Sequence, residues 1–411
     1  MKRFTVLLVL VTVLVVALGG SGSRLLAQDS TPAATMAGTE AANPLLAQLP
    51  ASLQALYVNA TSPMLPSAYD NFKAVPGPWK ICHSESYQGN PWRVSVTNEL
   101  KRLADEFQKA GQVASFEMSD SNGDVAQQIS QIRTFIDKKC SVITTIAGSA
   151  TGLNESIKAA YDAGIPVITA AGSVTSPYAI NVDSNYYRWG YDMADAIGKT
   201  LNGTGSVLLV EGIAGNPIVA QERQGADDAF KNYPNLKIIG SVNGNWTPSV
   251  TKQVVLQSLA TNPAQVDAVW TTGSESRLVA EAFAEAGRPA PLVTSSISGD
   301  ALGYWNTNKD KFKFTGHAVL PSWTAQTLFR VAVRVLQGQK PKLDTLMIPI
   351  PAVSQSDLPQ WFGSCMTVDS GSIFPIAPTD PMPEDVMNQY FVNGKATPPY
   401  DYANTPKPCG S

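Results

Sequence analysis

The sequence has few of the residues on which metal and nucleic-acid sites depend. Only two of its 411 residues are histidines, His83 and His317, and its four cysteines include no CxxC pair. Structural zinc sites need clustered cysteine and histidine. The net charge of −3 also lacks the positive excess that binds nucleic acid or an acidic membrane surface. We therefore expect no metal, no cofactor and no nucleic-acid partner.

Motifs of common catalytic sites are missing as well. There is no GxSxG turn and no phosphate-binding loop, and the two histidines lie in unrelated predicted strands. Glu85 and Glu275 could be imagined as the carboxylate pair of a glycosidase, but nothing in the sequence positions them together. We expect a protein that is not an enzyme. An exported α/β enzyme acting on carbohydrate is the less favoured alternative.

The long apolar run is confined to the N-terminus. Lys2 and Arg3 precede an apolar stretch over 4–18, which is short for a spanning helix. The pattern predicts a signal peptide over 1–27, with export to the periplasm or the extracellular space and no membrane insertion after cleavage. An uncleaved anchor is the alternative. Cleavage would remove three of 30 basic residues, leaving 27 against 33 acidic ones, a net charge of −6.

Four cysteines in an exported chain predict disulfides, for which three pairings are possible. Cys82 and Cys140 each lie at a predicted strand, whereas Cys365 and Cys409 share the C-terminal segment. These positions favour Cys82–Cys140 and Cys365–Cys409. Two buried free thiols are the alternative for the first pair.

Strand and helix patterns alternate from residue 79 to about residue 350. A strand at 79–84 leads to a helix that Asn90 caps and Pro91 begins, with Trp92 opening its apolar face. The segments "KAAYDAGIPVIT" (158–169) and "EAFAEAGRPAPLVT" (281–294) repeat one scheme in two halves. This alternation predicts two α/β lobes with parallel sheets, whose ligands bind at the carboxyl ends of strands.

The flanking segments lack this alternation. Residues 28–77 are predicted to be a linker and N-terminal extension, with a flexible tether to about residue 45 and a short helix near 49–58. Residues 349–411 hold 11 of the 29 prolines, so 351–411 is predicted to be an irregular, Pro-rich C-terminal extension wrapped on the surface.

Residues 79–348 resemble the ribose-type sugar-binding proteins of bacterial ABC importers, which are type 1 periplasmic binding proteins. The matching segments, in order, are "NPW", "DAGIPVIT", "INVDSNYYRWGYDMADAI", "GSVLLVEGIAGNPIVAQERQGADDAF" and "PNLKIIGSVNGNWTPSVTKQVVLQSLATNPAQVDAVW". The resemblance implies two doubly wound parallel-sheet lobes joined by three hinge strands. Lobe 1 would comprise 78–182 plus 321–345, and lobe 2 would comprise 183–320 plus 346–350. It further implies a monomer that encloses a sugar or polyol and delivers it to an ABC transporter permease.

The resemblance also implies ligand-binding residues. By position, Asn90 and Trp92 fall on first-lobe contacts, Arg223 on a second-lobe arginine, and Trp246 on a second-lobe aromatic residue. Flat rings suit the apolar faces of a sugar, and amide and guanidinium groups suit its hydroxyls. Each residue also has a structural interpretation: a cap for Asn90, core packing for Trp92, and an ion pair for Arg223.

Several positions depart from the family pattern. Ala170 and Ala171 stand where many members have Asp-Arg, Gly273 and Ser274 replace Asn-Asp, and Val319 replaces a hinge Gln. Either the ligand is not a ribose-like pentose, or the pocket uses other groups. The candidates are Glu85, Asp183, Asn185, Glu275, Ser296, which replaces a later Asp, His317 and Trp323. Helix capping by Asp183 and Asn185, and purely structural histidines, are the alternatives.

The same fold and pocket would serve a ligand-sensing ectodomain for a chemoreceptor or kinase. The sequence does not separate this function from import. A transcriptional regulator of this fold is disfavoured by the signal peptide and by the absence of a helix-turn-helix segment.

Overall fold

A computed structural model describes residues 43–395 and 399–409. The predicted signal peptide and most of the predicted tether lie outside these residues. The helices and strands are, in chain order, α1 (Ala51–Gln54), β1 (Trp79–Glu85), α2 (Pro91–Lys109), β2 (Val113–Asp120), α3 (Val125–Asp137), β3 (Val142–Ile146), α4 (Asn154–Asp162), β4 (Val167–Ala170), β5 (Ala179–Asp183), α5 (Tyr186–Thr200), β6 (Thr204–Glu211), α6 (Pro217–Phe230), β7 (Asn235–Asn243), α7 (Pro248–Thr261), β8 (Ala268–Thr271), α8 (Ser276–Glu285), β9 (Leu292–Ser296), α9 (Gly299–Thr307), β10 (Lys313–His317), α10 (Pro321–Leu336), β11 (Lys340–Pro341), β12 (Thr345–Met347), β13 (Ala352–Val353), α11 (Leu358–Trp361), α12 (Glu384–Gln389) and β14 (Phe391–Val392).

Two six-stranded sheets define two lobes. The first sheet has the order β12-β5-β4-β3-β1-β2 and is parallel throughout. The second has the order β13-β10-β9-β8-β6-β7 and is parallel except for the edge strand β13. Helices cover both faces of each sheet, with apolar cores on either side, as the βα alternation predicts.

Between β1 and β13 the chain crosses between the lobes three times. The crossings lie at 184–185, after β5, at 318–320, after β10, and at 348–351, after β12. Strand β12 pairs with β5 in the first sheet, with Met347 opposite Asp183. The predicted boundary after residue 345 therefore falls inside a first-lobe strand.

The N-terminal extension is part of lobe 1 from residue 46 onward. Leu49, Leu53, Tyr57 and Tyr69 are buried in the first-lobe core. The hydroxyl of Tyr57 donates a 2.6 Å hydrogen bond to the carbonyl of Thr345. Burial of this apolar surface fixes a segment that the sequence pattern marks only as a linker.

The C-terminal extension is largely irregular and packs on both lobes. Strand β13 extends the second sheet, and β14 pairs with β11. Arg330 and Arg334 of α10 form ion pairs with Glu384 of α12. Both predicted disulfides are present: Cys82–Cys140 joins β1 to the segment before β3, and Cys365–Cys409 closes the extension on itself.

Candidate functional site

A cleft lies between the lobes, at the carboxyl ends of strands from both sheets. It encloses about 870 Å³, its open mouth included. The lining residues that carry aromatic rings or polar groups are Tyr87, Asn90, Trp92, Arg93, Asp183, Ser184, Tyr186, Trp189, Glu222, Trp246, Thr272, Ser274, Glu275, Ser296 and Thr324. Helix starts and strand ends present polar groups here because parallel βα units bring them to one edge of the sheet.

The first-lobe wall is built by the start of α2. The side chain of Asn90 caps the helix by accepting from the Arg93 amide at 3.0 Å. The indole of Trp92 donates to the Val319 carbonyl at 2.9 Å, which joins α2 to a crossing segment. Asn90 and Trp92 therefore make structural contacts and also line the cleft, two roles that the sequence analysis treats as alternatives.

Arg93 is held in the cleft by a buried carboxylate. Its guanidinium bonds to Glu85, which is fully buried, and to the Ser86 hydroxyl at 2.7 Å. It also lies 4.3 Å from the Tyr87 ring centroid. Burial would raise the pKa of Glu85, but the hydrogen bonds and charges of His83 and Arg93 hold that pKa below its usual range. Glu85 is thus ionised and orients Arg93.

Asp183 lies at the end of β5, and its carboxylate accepts hydrogen bonds from three residues of lobe 1. It accepts from the Ser62 hydroxyl at 2.8 Å, from the Ser173 hydroxyl, and from the Gly172 amide at 3.2 Å. The N-terminal extension, through Ser62, therefore positions a cleft residue.

Two buried carboxyls face the cleft from lobe 2. Glu222 of α6 is fully buried; one of its oxygens accepts from Thr272 at 2.8 Å and the other makes no hydrogen bond within the protein. Burial raises the pKa of Glu222 to about 8. The Glu211 charge also raises this pKa, and the hydrogen bond from Thr272 lowers it. Burial, assisted by the Asp300 charge, raises the pKa of Glu275 to about 7.

Trp246 forms the second-lobe aromatic wall. Its backbone has φ +49° and follows Asn245 at φ +56°, a left-handed pair that is unusual for a bulky side chain. A Cβ at Gly212 would lie 2.3 Å from the indole, and a Cβ at Gly273 would lie 1.8 Å from a Glu275 carboxyl oxygen. Glycine at both positions makes room for the ring and the acid.

Six of the eleven candidate site residues line the cleft, and five do not. Those that line it are Asn90, Trp92, Asp183, Trp246, Glu275 and Ser296. Of the departures from the family pattern, Ala171, Gly273, Ser274, Ser296 and Val319 also line it. The hydroxyl of Ser296 is buried without a hydrogen-bond partner in the protein.

Arg223, which is predicted to bind the ligand, is not among the residues that line the cleft. Its guanidinium bonds to Glu211 at 2.7 Å and to Asp227 at 2.8 Å, outside the cleft. Adjacent helical residues point about 100° apart, so the side chain that reaches the cleft is that of Glu222. Helix α6 therefore presents an acid where the resemblance implied a base.

Asn185, Glu85, His317 and Trp323 also lie outside the cleft lining. Asn185 caps α5 and donates to the carbonyls of Leu56 and Val58, so its polar atoms are used by the N-terminal extension. Burial, with a smaller contribution from the Arg188 charge, lowers the pKa of His317 to about 3. Trp323 belongs to the second-lobe core.

Sequence reasoning missed Arg93, Tyr186, Trp189, Glu222 and Thr272 as lining residues. A signal for Glu222 was present. Pro217 begins α6, and Ile218 and Glu222, which both line the cleft, lie one turn apart on a single face.

Two kinds of feature are absent from the described residues. Within 43–395 and 399–409, no group of three or more His, Cys, Asp or Glu side chains is placed to hold a metal ion. In the same residues, no helix is both long and apolar enough to cross a membrane.

The chain is similar to known binding proteins. The galactofuranose-binding protein YtfQ of Escherichia coli is 29% identical over 194 residues, covering 46% of this chain and 59% of that protein. The xylitol-binding protein of Mycolicibacterium smegmatis is 23% identical over 269 residues, covering 64% and 75%. The chain thus spans 59% of the length of the first of these relatives.

The fold has close structural counterparts. An ABC transporter solute binding protein from Thermobispora bispora superposes with a TM-score of 0.67 at 24% identity, over 74% of this chain and 92% of that chain. The family model described as a periplasmic binding protein domain matches residues 82–340. The chain belongs to the periplasmic binding protein family.

Proposed function

We propose that this protein is an extracytoplasmic solute-binding protein that captures a sugar or polyol in the cleft and delivers it to an ABC importer. The observation that carries the proposal is the composition of the cleft. Two indoles, Trp92 and Trp246, come from different lobes, and hydroxyls, carboxyls and a guanidinium lie at the strand ends among them. Two relatives are named for a sugar and a sugar alcohol.

The chemistry of the cleft suits a polyhydroxy ligand. A sugar has apolar C–H faces, which pack on indole rings, and a rim of hydroxyls, which need donors and acceptors. Arg93 supplies donors, and Asp183 and the hydroxyls of Ser184 and Ser274 supply acceptors. Because the polar groups are buried, a ligand that leaves one of them unpaired binds more weakly.

Capture requires that the lobes close on the ligand. The crossings at 184–185, 318–320 and 348–351 are short, so rotation there changes the width of the cleft. A ligand that contacts both walls favours the closed arrangement. We propose that the closed form docks on the permease, and that no chemical step follows.

Thermal unfolding of refolded protein against a panel of sugars and polyols tests the proposal. Refolding removes any carried ligand. A ligand that binds only the native state adds about 2.7 kcal/mol at a hundredfold excess over its Kd. We expect one compound to raise the midpoint in the parent, and a smaller or no shift in Trp246→Ala. Arg133→Ala, a substitution of an exposed residue, is the matched control. Absence of any shift across the panel, or turnover of a glycoside, would contradict the proposal.

A further inference from the structure

The two carboxyls on the lobe 2 side of the cleft have no basic partner. Arg93 is the one basic residue among the described residues that line the cleft, and its charge is matched by Glu85. Asp183 is satisfied by three donors of lobe 1. Glu222 and Glu275 remain, both buried, with no ion pair in the described chain.

Both acids lie at the carboxyl end of β8. Glu222 accepts from Thr272, the residue that follows the strand, and Glu275 is three residues further along. Trp246 lies against the same turn, with its indole nitrogen 3.4 Å from the Thr272 hydroxyl. The indole of Trp246 and two carboxyls thus surround one part of the cleft.

The free oxygen of Glu222 is an independent indication that a ligand group completes this site. The residue is fully buried, lines the cleft, and leaves one carboxyl oxygen without a hydrogen bond. A buried polar atom of this kind costs stability unless something satisfies it. A carboxylate next to an aromatic face is the environment that favours a bound cation.

We propose that the ligand is a sugar or polyol that carries an amino group, and that its ammonium binds the carboxyl of Glu222 beside Trp246. This inference rests on the proposed function and specifies its substrate class. Glu275 adds negative charge to the same part of the cleft. The second-lobe arginine that would repel such a cation, Arg223, is turned away toward Glu211 and Asp227.

The proposal predicts the direction in which ligand affinity changes with pH. Without ligand, Glu222 holds its proton near neutral pH, because burial raises its pKa to about 8. Binding of an ammonium ionises the carboxyl, which releases its proton to solvent while the ammonium keeps its own. Affinity for an amine therefore rises with pH up to about 8. A neutral sugar that accepts from the protonated acid would bind with an affinity that changes little below pH 8 and falls above it.

The charged and titratable neighbours of the two acids do not change the direction of this pH dependence. Glu211 acts on Glu222 and is paired with Arg223, and Tyr186 of α5 faces Glu222 with its pKa raised well above the ordinary value by burial. Asp300 acts on Glu275 and is paired with Arg277. Both arginines stay charged between pH 5 and 8.

Calorimetric titration of the refolded protein with matched ligand pairs tests the inference. The probes are D-glucosamine with D-glucose, D-galactosamine with D-galactose, and 1-amino-1-deoxy-D-sorbitol with D-sorbitol. We expect one amine to bind at least about tenfold more tightly than its neutral partner at pH 7.5. Its affinity should rise from pH 5.5 to 7.5, with release of about one proton at pH 6.5, read from buffers of different ionisation enthalpy.

Glu222→Gln should abolish both the preference and the proton release, and Glu155→Gln, which removes one exposed carboxylate of α4, should keep both. The pH slope of the unaltered protein decides the question even if Glu222→Gln fails to fold. Neutral sugars that bind as tightly as their amines, or an affinity for the amine that does not rise from pH 5.5 to 7.5, would overturn the inference and leave the proposed function standing. If neither the pairs nor the wider sugar and polyol panel bind, both fail.

Discussion

Thr272 donates a 2.8 Å hydrogen bond to one carboxyl oxygen of Glu222, and the other oxygen of that carboxyl has no partner in the protein. A single hydroxyl from the end of β8 thus supports a fully buried acid. The stability of the ligand-free protein depends on the proton that this acid keeps.

Glu222→Gln should flatten the dependence of stability on pH. The folded pKa of about 8 lies above the ordinary value of 4.5, so the folded state holds a proton that the unfolded chain loses. Stability is therefore greatest below pH 4.5 for this group and falls as pH rises toward 8, by up to about 1.4 kcal/mol per unit. Urea unfolding from pH 5 to 8.5 measures this dependence of the unfolding free energy on pH. Glu155→Gln should retain the parent slope, and equal slopes in all three proteins would refute the assignment.

Arg93→Ala should weaken ligand binding and destabilise the fold together. Removal of the guanidinium leaves the Glu85 carboxylate buried without its main partner, which costs about 3–5 kcal/mol for pairs of this kind. The double variant Arg93→Ala with Glu85→Gln separates the two effects. It should recover part of the unfolding free energy but none of the affinity. Recovery of affinity in the double variant would show that Arg93 does not contact the ligand.

Leu53→Ala should destabilise lobe 1, because the N-terminal extension belongs to the first-lobe core from residue 46 onward. Leu53 is 6% exposed, and truncation of such a side chain costs about 2–5 kcal/mol. Val58→Ala is the control from the same segment, since Val58 is 52% exposed and its truncation should cost about 0.5 kcal/mol or less. Chemical denaturation of both variants gives the comparison. Equal losses would contradict the packing of the segment.

Replacement of Cys82 and Cys140 by alanine should lower the free energy of unfolding. The bond closes a stretch with a sequence separation of 58, for which chain entropy predicts about 4 kcal/mol. Denaturation of the double variant beside the parent, both without reductant, measures the difference. An unchanged unfolding free energy would indicate that the two thiols are free in the exported protein.

The sequence was sufficient for the lobes because their elements obey local rules. Asn90 and Pro91 predict the start of α2, and the structure begins the helix there with the expected cap. The repeated βα pattern predicts two parallel sheets, which the strand pairing confirms. Such features depend on residues close in the chain, so no long-range contact is needed to predict them.

The site was harder to predict because it depends on helix rotation and on distant contacts. A shift of one residue in the phase of α6 decides whether Glu222 or Arg223 reaches the cleft, and apolar spacing around Ile218 was the available clue. Asn185 was removed from the site by the carbonyls of Leu56 and Val58, more than 120 residues away in the chain. No local pattern encodes that contact.

Isothermal titration of the refolded protein with sugars, polyols and their amino derivatives tests the central claim, which is that the cleft encloses one such ligand. The account predicts saturable binding of one molecule per chain, weakened in Trp246→Ala and in Arg93→Ala but unchanged in Arg133→Ala. Binding that survives both cleft substitutions, or no saturable binding by any compound of these classes, would contradict it.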